Sequence, residues 1–259
     1  MIDHPQPSSP PDPSSPDRQA AQLARLEALL LHGEISNLHG VMRWGSNYAA
    51  LVTITDDELQ ATAVYKPQRG ERPLWDFPDG TLCYREVIAY VISKHLGWYL
   101  VPPTVLRDGP HGIGSFQLFI DHNPEINYFA LDDQYIEQLR QYAIFDYLVN
   151  NADRKGGHLL LAADGKLWGI DHGLTFNTMP KLRTVIWDFA GDCIPEHLLE
   201  PVGTLLKQLE VADSPLRCQI NPLLSSAEIT ALIRRTRHLL ERKTFPQPGP
   251  GPNYPWPPV

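Results

Sequence analysis

The sequence FDYLVNNADRKGGHLLLAADGKLWGIDHGLTF, residues 145–176, contains the strongest local signals in the chain. Its apolar helical run ends at Asn150-Asn151-Ala152-Asp153-Arg154, and Gly156-Gly157 then stops the helix. Two short apolar segments follow, separated by Asp164-Gly165, which is the strongest short-range signal for a β-hairpin. The sequence therefore predicts a helix, a polar loop and a hairpin in that order.

The two ends of this hairpin carry polar side chains that could share one site. Asp153 and His158 lie at its entrance and Asp171 lies at its exit, so the hairpin brings the three together. Two carboxylates and a potential metal ligand suit phosphoryl transfer, which needs metal ions on the phosphates and a carboxylate that orients the acceptor. The pattern therefore favours that chemistry.

The spacing of these residues resembles a known superfamily. Asp153 lies five positions before His158, and Asp171-His172-Gly173 stands where protein kinases have Asp-Phe-Gly. The Asp153-Arg154 order and the Ile-Asp-His-Gly-Leu-Thr-Phe sequence around Asp171 resemble the phosphatidylinositol 3-/4-kinase-like superfamily more closely than eukaryotic protein kinases. More narrowly, residues 20–243 are similar to a bacterial phosphatidylinositol 3-/4-kinase-like family known from actinobacteria.

This resemblance implies an α+β fold with two protein-kinase-like lobes. Residues 17–120 would form a small, β-rich N-lobe that binds the nucleotide, and residues 121–245 a helical, catalytic C-lobe. Residues 1–16 and 246–259 are rich in Pro and predict disordered tails, because they offer too little apolar surface to become ordered. Their Pro-Pro pairs could also serve as a polyproline ligand.

Composition narrows the class of protein. The 259 residues carry a formal net charge of −8, which argues against a general nucleic-acid binder and against docking on an anionic membrane. No apolar run approaches the roughly 20 residues that a transmembrane helix needs, and residues 1–16 lack the features of a secretory signal. Cys83, Cys193 and Cys218 form no metal-binding pattern and fit free thiols in a reducing compartment. The sequence therefore predicts a cytoplasmic protein without integral membrane association.

In the resembled fold, the N-lobe would hold the phosphates of ATP. The sequence predicts a helix from residue 17 to Gly33 and then strands at 34–42, 48–55 and 60–66. The backbone N–H groups of Ser46 and Asn47 would lie over the phosphates, and Lys66 would reach the α- and β-phosphates. Taken alone, the turn fits an ordinary hairpin and Lys66 fits a surface lysine.

A carboxylate on the following helix would hold Lys66 in place. Glu86, in the first turn of a helix predicted from residue 84, is the preferred partner, and Glu71 is its rival. Residues 114–120 fit the strand and hinge that hold adenine in this superfamily, with Gln117 and Phe119 as contacts. Phe119 also fits a plain core residue. Further helices are predicted at 132–149, 196–209 and 225–243.

The remaining roles follow from the resemblance. Asp171 would bind the metal that bridges the phosphates, and Asp153 would orient the acceptor hydroxyl and accept its proton, which requires an ionised carboxylate. Arg154 would orient the catalytic loop or lie near the γ-phosphate.

His158 departs from the kinase pattern, which usually has Asn at this position. Mg²⁺ prefers oxygen ligands, whereas imidazole suits Zn²⁺ or Mn²⁺ better. The site could therefore hold one metal on Asp171, favour Mn²⁺, or be inactive, and His158 could instead bond the loop backbone.

These expectations describe an ATP-dependent kinase that uses Mg²⁺ or Mn²⁺ and acts on a hydroxyl of a small molecule or a protein. The alternatives are a nucleotide-binding pseudokinase that acts as a regulatory module, and an AMP transferase. Lys66, Asp153 and Asp171 together favour the enzyme, whereas His158 favours the module. A coincidental acidic hairpin in an unrelated α/β domain is disfavoured by the order of the motifs.

Overall fold

The computed structural model describes residues 16–42 and 48–259. Helices lie at α1 Pro16–His32, α2 Leu82–His95, α3 Ile136–Val149, α4 Glu196–Glu210, α5 Pro215–Ile220 and α6 Ser226–Arg242. Strands lie at β1 Glu34–Met42, β2 Ala49–Thr55, β3 Gln60–Pro67, β4 Thr104–Gly109, β5 Gly112–Leu118, β6 Leu159–Leu161 and β7 Leu167–Gly169. Within the described ranges, no helix is long and apolar enough to cross a membrane.

The first part of the chain forms an antiparallel sheet with the strand order β1-β2-β3-β5-β4. Leu29 and Leu30 of α1 pack against Tyr65 and Phe116 on one face of this sheet. Because successive strand residues point to opposite faces, Lys66 points away from that core. This alternation places the lysine between the sheet, α2 and the hairpin exit, in a region that we call the cleft.

The larger hydrophobic core joins α2 to α3, α4 and α6. Ile88 and Ile92 of α2 and Phe145 of α3 are fully buried in this core. Helix α2 therefore packs as part of the helical region, although it precedes residue 120 in the sequence. It connects Glu86, the partner of Lys66, to the helical core.

Local sequence signals explain the ends of several elements. Helix α6 begins with the predicted capping box, in which Ser225 and Glu228 satisfy each other's backbone N–H groups. Helix α3 ends at Asn150, whose φ of 53° is the left-handed conformation that Asn tolerates at such a position. The predicted start of α3 at residue 132 is too early, because Asp133–Tyr135 form a 3₁₀ turn.

The predicted hairpin is present. Leu159–Leu161 pair antiparallel with Leu167–Gly169, and Gly165 has a φ of +83° in the turn. This positive φ is why the turn needs glycine. The mixed α+β fold that the sequence predicts is confirmed.

The two predicted tails have different outcomes. Residues 1–15 lie outside the described part of the chain. Residues 246–259 differ from the predicted disorder, because they form an irregular segment with several bends in which Pro255 is buried. Backbone carbonyls of this segment accept hydrogen bonds from the C-lobe, as described below, and these bonds order it despite its Pro-rich composition.

Candidate active site

Three charged side chains meet in the cleft. Lys66 Nζ bonds to Glu86 Oε1 and lies 3.0 Å from Asp171 Oδ1. The other oxygen of Glu86, Oε2, accepts a hydrogen bond from the backbone N–H of His172 at 2.9 Å. Strand β3, helix α2 and the exit of the hairpin each contribute one of the three groups. Glu86 thereby links the lysine to the segment that carries Asp171.

Electrostatics favour a charged lysine and an ionised aspartate. Burial alone would lower the pKa of Lys66, but the carboxylates of Asp171 and Glu86 outweigh it and raise that pKa. Lys66 is the main cause of the lowered pKa of Asp171. Burial raises the pKa of Glu86, with Lys66 acting in the opposite direction. At neutral pH the cleft therefore presents an ammonium group beside an anionic carboxylate.

Glu71, the rival partner for Lys66, has a different task. Its two carboxylate oxygens accept hydrogen bonds from the backbone N–H groups of Leu82, at 2.9 Å, and Cys83, at 2.7 Å. These are unpaired donors at the start of α2, where a carboxylate is favoured. Glu71 therefore caps the helix that positions Glu86.

Asp171 is the most accessible member of the cluster. Its side chain is 51% exposed, and its φ of 60° lies in the left-handed region. Such a backbone conformation costs on the order of 1–3 kcal/mol and is often found at functional sites. The carboxylate is thus turned into the cleft, where an exchangeable ligand could reach it.

His158 lies beside Asp171 as a neutral ring. Burial lowers the pKa of His158 to about 4. Its Nδ1 accepts the Lys155 backbone N–H at 3.4 Å, which leaves the ring proton on Nε2, 3.5 Å from Asp171 Oδ2. In this tautomer Nε2 offers a proton and no lone pair, so metal ligation by His158 requires the other tautomer.

The donor set fits a hard divalent cation held through few protein ligands. Asp171 supplies an ionised oxygen ligand of the kind Mg²⁺ prefers. In the part of the chain that the structure describes, no group of three or more His, Cys, Asp or Glu side chains could hold a metal ion by itself. A cation here would complete its shell with phosphate oxygens and water, as Mg²⁺ commonly does.

Asp153 lies on the loop that enters the hairpin. Its side chain is 26% exposed and is 3.5 Å from Lys155 Nζ. Asn151 Oδ1 accepts the Asp153 backbone N–H at 3.0 Å, which holds the loop turn. Burial, with a further contribution from the charge of Asp171, raises the pKa of Asp153 to about 6 although Lys155 acts in the opposite direction.

This geometry can be set beside known proteins. The family model described as phosphatidylinositol 3- and 4-kinase matches residues 35–202. The chain belongs to the phosphatidylinositol 3- and 4-kinase family. It is 40% identical over 265 aligned residues to Protein Rv2133c of Mycobacterium tuberculosis, across 89% of this chain and 94% of the relative.

Two further relatives define how far the likeness extends. Phosphatidylinositol 4-kinase gamma 4 of Oryza sativa subsp. japonica is 33% identical over 108 residues, which cover 34% of this chain and 19% of the plant protein. The crystal structure of a Helicobacter pylori proinflammatory kinase, CtkA, matches with a TM-score of 0.51 and 14% identity over 83% of this chain and 94% of CtkA. The last match shows the fold alone. The predicted similarity to bacterial phosphatidylinositol 3-/4-kinase-like proteins is confirmed.

In this family member, Arg154 is a buried structural residue. Its guanidinium is fully buried, with Nη2 2.9 Å from Asp146 Oδ1 and Nε 3.0 Å from Asp146 Oδ2. It also donates to the carbonyl of Ile170 at 3.2 Å and to His172 Nε2 at 2.7 Å. These contacts connect the loop that carries Asp153 to α3 and to the segment that carries Asp171, and the guanidinium is closed off from the surface.

Asp146 and His172 were not predicted as site residues. Asp146 lies inside α3 and is fully buried, and a carboxylate in an apolar helical run is itself a sequence signal for a buried ionic partner. His172 has a strongly lowered pKa because of burial, and its Nδ1 has no hydrogen-bond partner within the described ranges. Both residues bond to Arg154, which connects the loop that carries Asp153 to the segment that carries Asp171.

The predicted adenine contacts, Gln117 and Phe119, lie at the end of β5 and just after it. Gln117 is buried and donates to Thr104 Oγ1 at 2.9 Å, so its side chain is already engaged. Phe119 is 37% exposed, and its backbone N–H donates to the Thr62 carbonyl at 2.9 Å. The predicted phosphate contacts Ser46 and Asn47 lie outside the described residues.

Proposed function

We propose that this protein is an ATP-dependent kinase that transfers the γ-phosphoryl group to a hydroxyl of a small molecule or a protein, with Mg²⁺ or Mn²⁺ as the metal. The observation that carries the proposal is the convergence of Lys66, Glu86 and Asp171 in one cleft. Membership of the phosphatidylinositol 3- and 4-kinase family supports it.

Lys66 would bind the phosphates of the nucleotide. Its raised pKa keeps the ammonium group charged, and the bond to Glu86 holds the long side chain in the cleft. Positioning and charge stabilisation provide most of the catalysis of phosphoryl transfer. When bound, a divalent cation on Asp171 would neutralise charge that develops on the phosphates.

Asp153 would act on the acceptor. The oxygen of the acceptor hydroxyl would bond to the γ-phosphorus while the bond from that phosphorus to ADP breaks. The hydroxyl proton would pass to the Asp153 carboxylate. With a pKa raised to about 6, Asp153 is mostly ionised at neutral pH and is a stronger base than an ordinary aspartate.

Apolar residues beside the cleft would hold the adenine ring. Ile120 and Leu160 belong to one buried cluster, and Ile170, which directly precedes Asp171, packs against it. Apolar walls with a few polar groups are the usual lining of a nucleotide pocket.

A second candidate function, a nucleotide-binding module without turnover, is favoured by two observations. The proton on His158 Nε2 faces Asp171, and Lys155 forms an ion pair with Asp153. Both features reduce the capacity of the site to hold a second metal and to accept a proton.

ADP formation separates the two candidates. The purified protein would be incubated with ATP, Mg²⁺ or Mn²⁺ and a mixture of hydroxyl acceptors (polyols and peptides that contain Ser and Thr), in parallel with the matched variant Asp153→Asn. A kinase is expected to form ADP, and Asp153→Asn should bind ATP normally while forming at least about a hundredfold less ADP, the lower range for removal of a general base. ATP binding with equal background ADP formation in both proteins would support the module and contradict turnover.

A further inference from the structure

The C-terminal segment lies against the loop that carries Asp153. Gly156 lies three residues after Asp153 in the chain. Its backbone N–H donates to the Pro258 carbonyl at 2.7 Å. The Thr184 backbone N–H donates to the Asn253 carbonyl at 3.0 Å. Thr184 also forms a parallel β-bridge with Arg154, in the loop that carries Asp153. Residues 253–258 therefore run from the segment around Thr184 to the loop of the proposed base.

Aromatic side chains line the surface beneath this segment. Trp187 Nε1 donates to the Asn253 carbonyl at 3.1 Å. At Gly156, an added Cβ would lie 2.9 Å from the Phe129 ring and 3.5 Å from the Pro258 oxygen, so Gly156 lies close to both the ring and the segment. We call the surface formed by Phe129, Gly156, Thr184 and Trp187 the tail groove.

The tail groove binds backbone and proline and leaves the large side chains of its occupant in solvent. Pro255 is buried, whereas Trp256 is 89% exposed and Tyr254 and Val259 are also exposed. Aromatic side chains and donors to backbone carbonyls are a common way of binding Pro-rich segments.

The occupant is not suited to be the phosphate acceptor. Residues 246–259 contain neither Ser nor Thr, and the hydroxyl of Tyr254 is the one side-chain hydroxyl in this stretch. The segment nevertheless bonds to the loop that carries Asp153, through the Gly156 N–H. Its position is that of an internal competitor.

We propose that the tail groove is a binding site for a proline-containing polypeptide, that residues 253–258 occupy it in cis, and that protein acceptors use it to reach Asp153. The last part rests on the proposed kinase function and selects a polypeptide from the two acceptor classes. The C-terminal segment would then restrain activity until an acceptor displaces it.

Peptide binding tests the groove without any need for activity. The probe is a fluorescein-labelled peptide of residues 249–259, measured by anisotropy against three forms of the protein: the full chain, a chain ending at Pro248, and the full chain with Pro255→Asp. The last variant releases the segment by placing a carboxylate at a buried position, and it serves if the shortened chain does not fold.

We expect the released forms to bind the peptide about tenfold or more tightly than the full chain, because a tethered competitor acts at an effective concentration in the millimolar range. Trp187→Phe in the released form removes the indole donor and should weaken binding several-fold, whereas Trp75→Phe, at an exposed tryptophan elsewhere, should not. Equal affinity for the full and released chains, or no binding by any released form, would overturn the groove.

A second measurement tests whether protein acceptors use the tail groove. Peptides of the 249–259 sequence, each with one Ser placed at successive positions, would be incubated with ATP and metal. At least one should take up phosphate, faster with Pro255→Asp than with the full chain. Phosphate uptake by none of the peptides, in a protein that binds nucleotide, would contradict the acceptor role. Absence of nucleotide binding would instead contradict the proposed function and leave the peptide-binding result standing.

Discussion

Asp146 and Asp171 are two aspartates of the same neighbourhood with opposite surroundings. Asp146 is fully buried and bonded to Arg154, with Asn151 Nδ2 and Thr184 Oγ1 as further donors at 3.0 and 3.3 Å. Asp171 is half exposed and has one lysine as its closest cation. The buried carboxylate builds the loop, and the exposed one is available to a ligand.

The difference shows how this fold separates structure from chemistry. Burying an ion pair is expensive unless each partner keeps its hydrogen bonds, and Asp146 with Arg154 meets that condition. An ionised carboxylate at the cleft surface keeps water as an exchangeable partner, which is the state that a metal site requires. The same residue type therefore stabilises the protein at one position and remains reactive at the other.

The largest expected effect comes from the matched changes Asp146→Asn and Asp171→Asn. Asp146→Asn leaves the buried Arg154 without a counter-charge and should lower the free energy of unfolding by about 3–5 kcal/mol. Asp171→Asn should change it by less than about 1 kcal/mol, because the group is half exposed and Asn tolerates a positive φ. Urea unfolding of both variants measures the change in the free energy of unfolding. Equal changes in the two variants would contradict the different roles of the two aspartates.

The next largest effect is a pH-dependent difference in stability between Asp153→Asn and the parent protein. Because the folded pKa of Asp153 is raised to about 6, the stability contributed by its protonated form is full below about pH 4 and is lost as the pH rises through 6. Relative to the parent, Asp153→Asn should therefore gain on the order of 2 kcal/mol of stability between pH 4 and pH 7.5, at about 1.4 kcal/mol per pKa unit.

Unfolding curves of the two proteins at both pH values provide the measurement. Other titrating groups are common to both and cancel in the difference. A difference in stability that does not change with pH would show that Asp153 has an ordinary pKa.

A smaller effect separates the two glutamates. Glu86→Gln should weaken metal–nucleotide binding about tenfold, or roughly 1.4 kcal/mol, because Lys66 loses the charge that holds it. Glu71→Gln should lower the free energy of unfolding by about 1 kcal/mol through the weaker helix cap and leave nucleotide affinity unchanged. Calorimetric titration with ATP distinguishes them, and a reversed pattern would make Glu71 the functional partner.

The smallest effect concerns metal preference. His158→Asn replaces an imidazole with the oxygen ligand usual in kinases, so binding of ATP with Mg²⁺ should improve a few-fold relative to binding with Mn²⁺. The ratio of the two affinities is the readout. An unchanged ratio would indicate that His158 serves the loop backbone, as its bond to the Lys155 N–H suggests.

Short-range patterns in the sequence predicted much of this molecule. The Asp164-Gly165 turn and the capping box at Ser225 depend on neighbouring residues, and the structure contains both. The kinase resemblance correctly brought Lys66 and Glu86 together with Asp171. These features follow from turn chemistry, periodicity and motif order, each of which is visible in one chain.

Other features depend on partners that no local pattern specifies. The pairing of Arg154 with Asp146 was missed because the partner of a buried charge is set by tertiary packing. Helix α5 was missed because six residues give too little periodicity, although Ser214 and Pro215 mark its start. The order of residues 253–258 arises from a surface contributed by other parts of the chain.

The most direct test of the account is the thermal stability of the purified protein and of Asp171→Asn with ATP, in the presence and absence of Mg²⁺ or Mn²⁺. We expect ATP with metal at 100 times its Kd to stabilise the parent by roughly 2.7 kcal/mol, visible as a raised Tm. Asp171→Asn should lose the metal-dependent part of that shift while its Tm without ligand stays close to that of the parent. An equal, metal-independent shift in both proteins, or no shift in a folded parent, would contradict a metal–nucleotide site in the Lys66–Asp171 cleft.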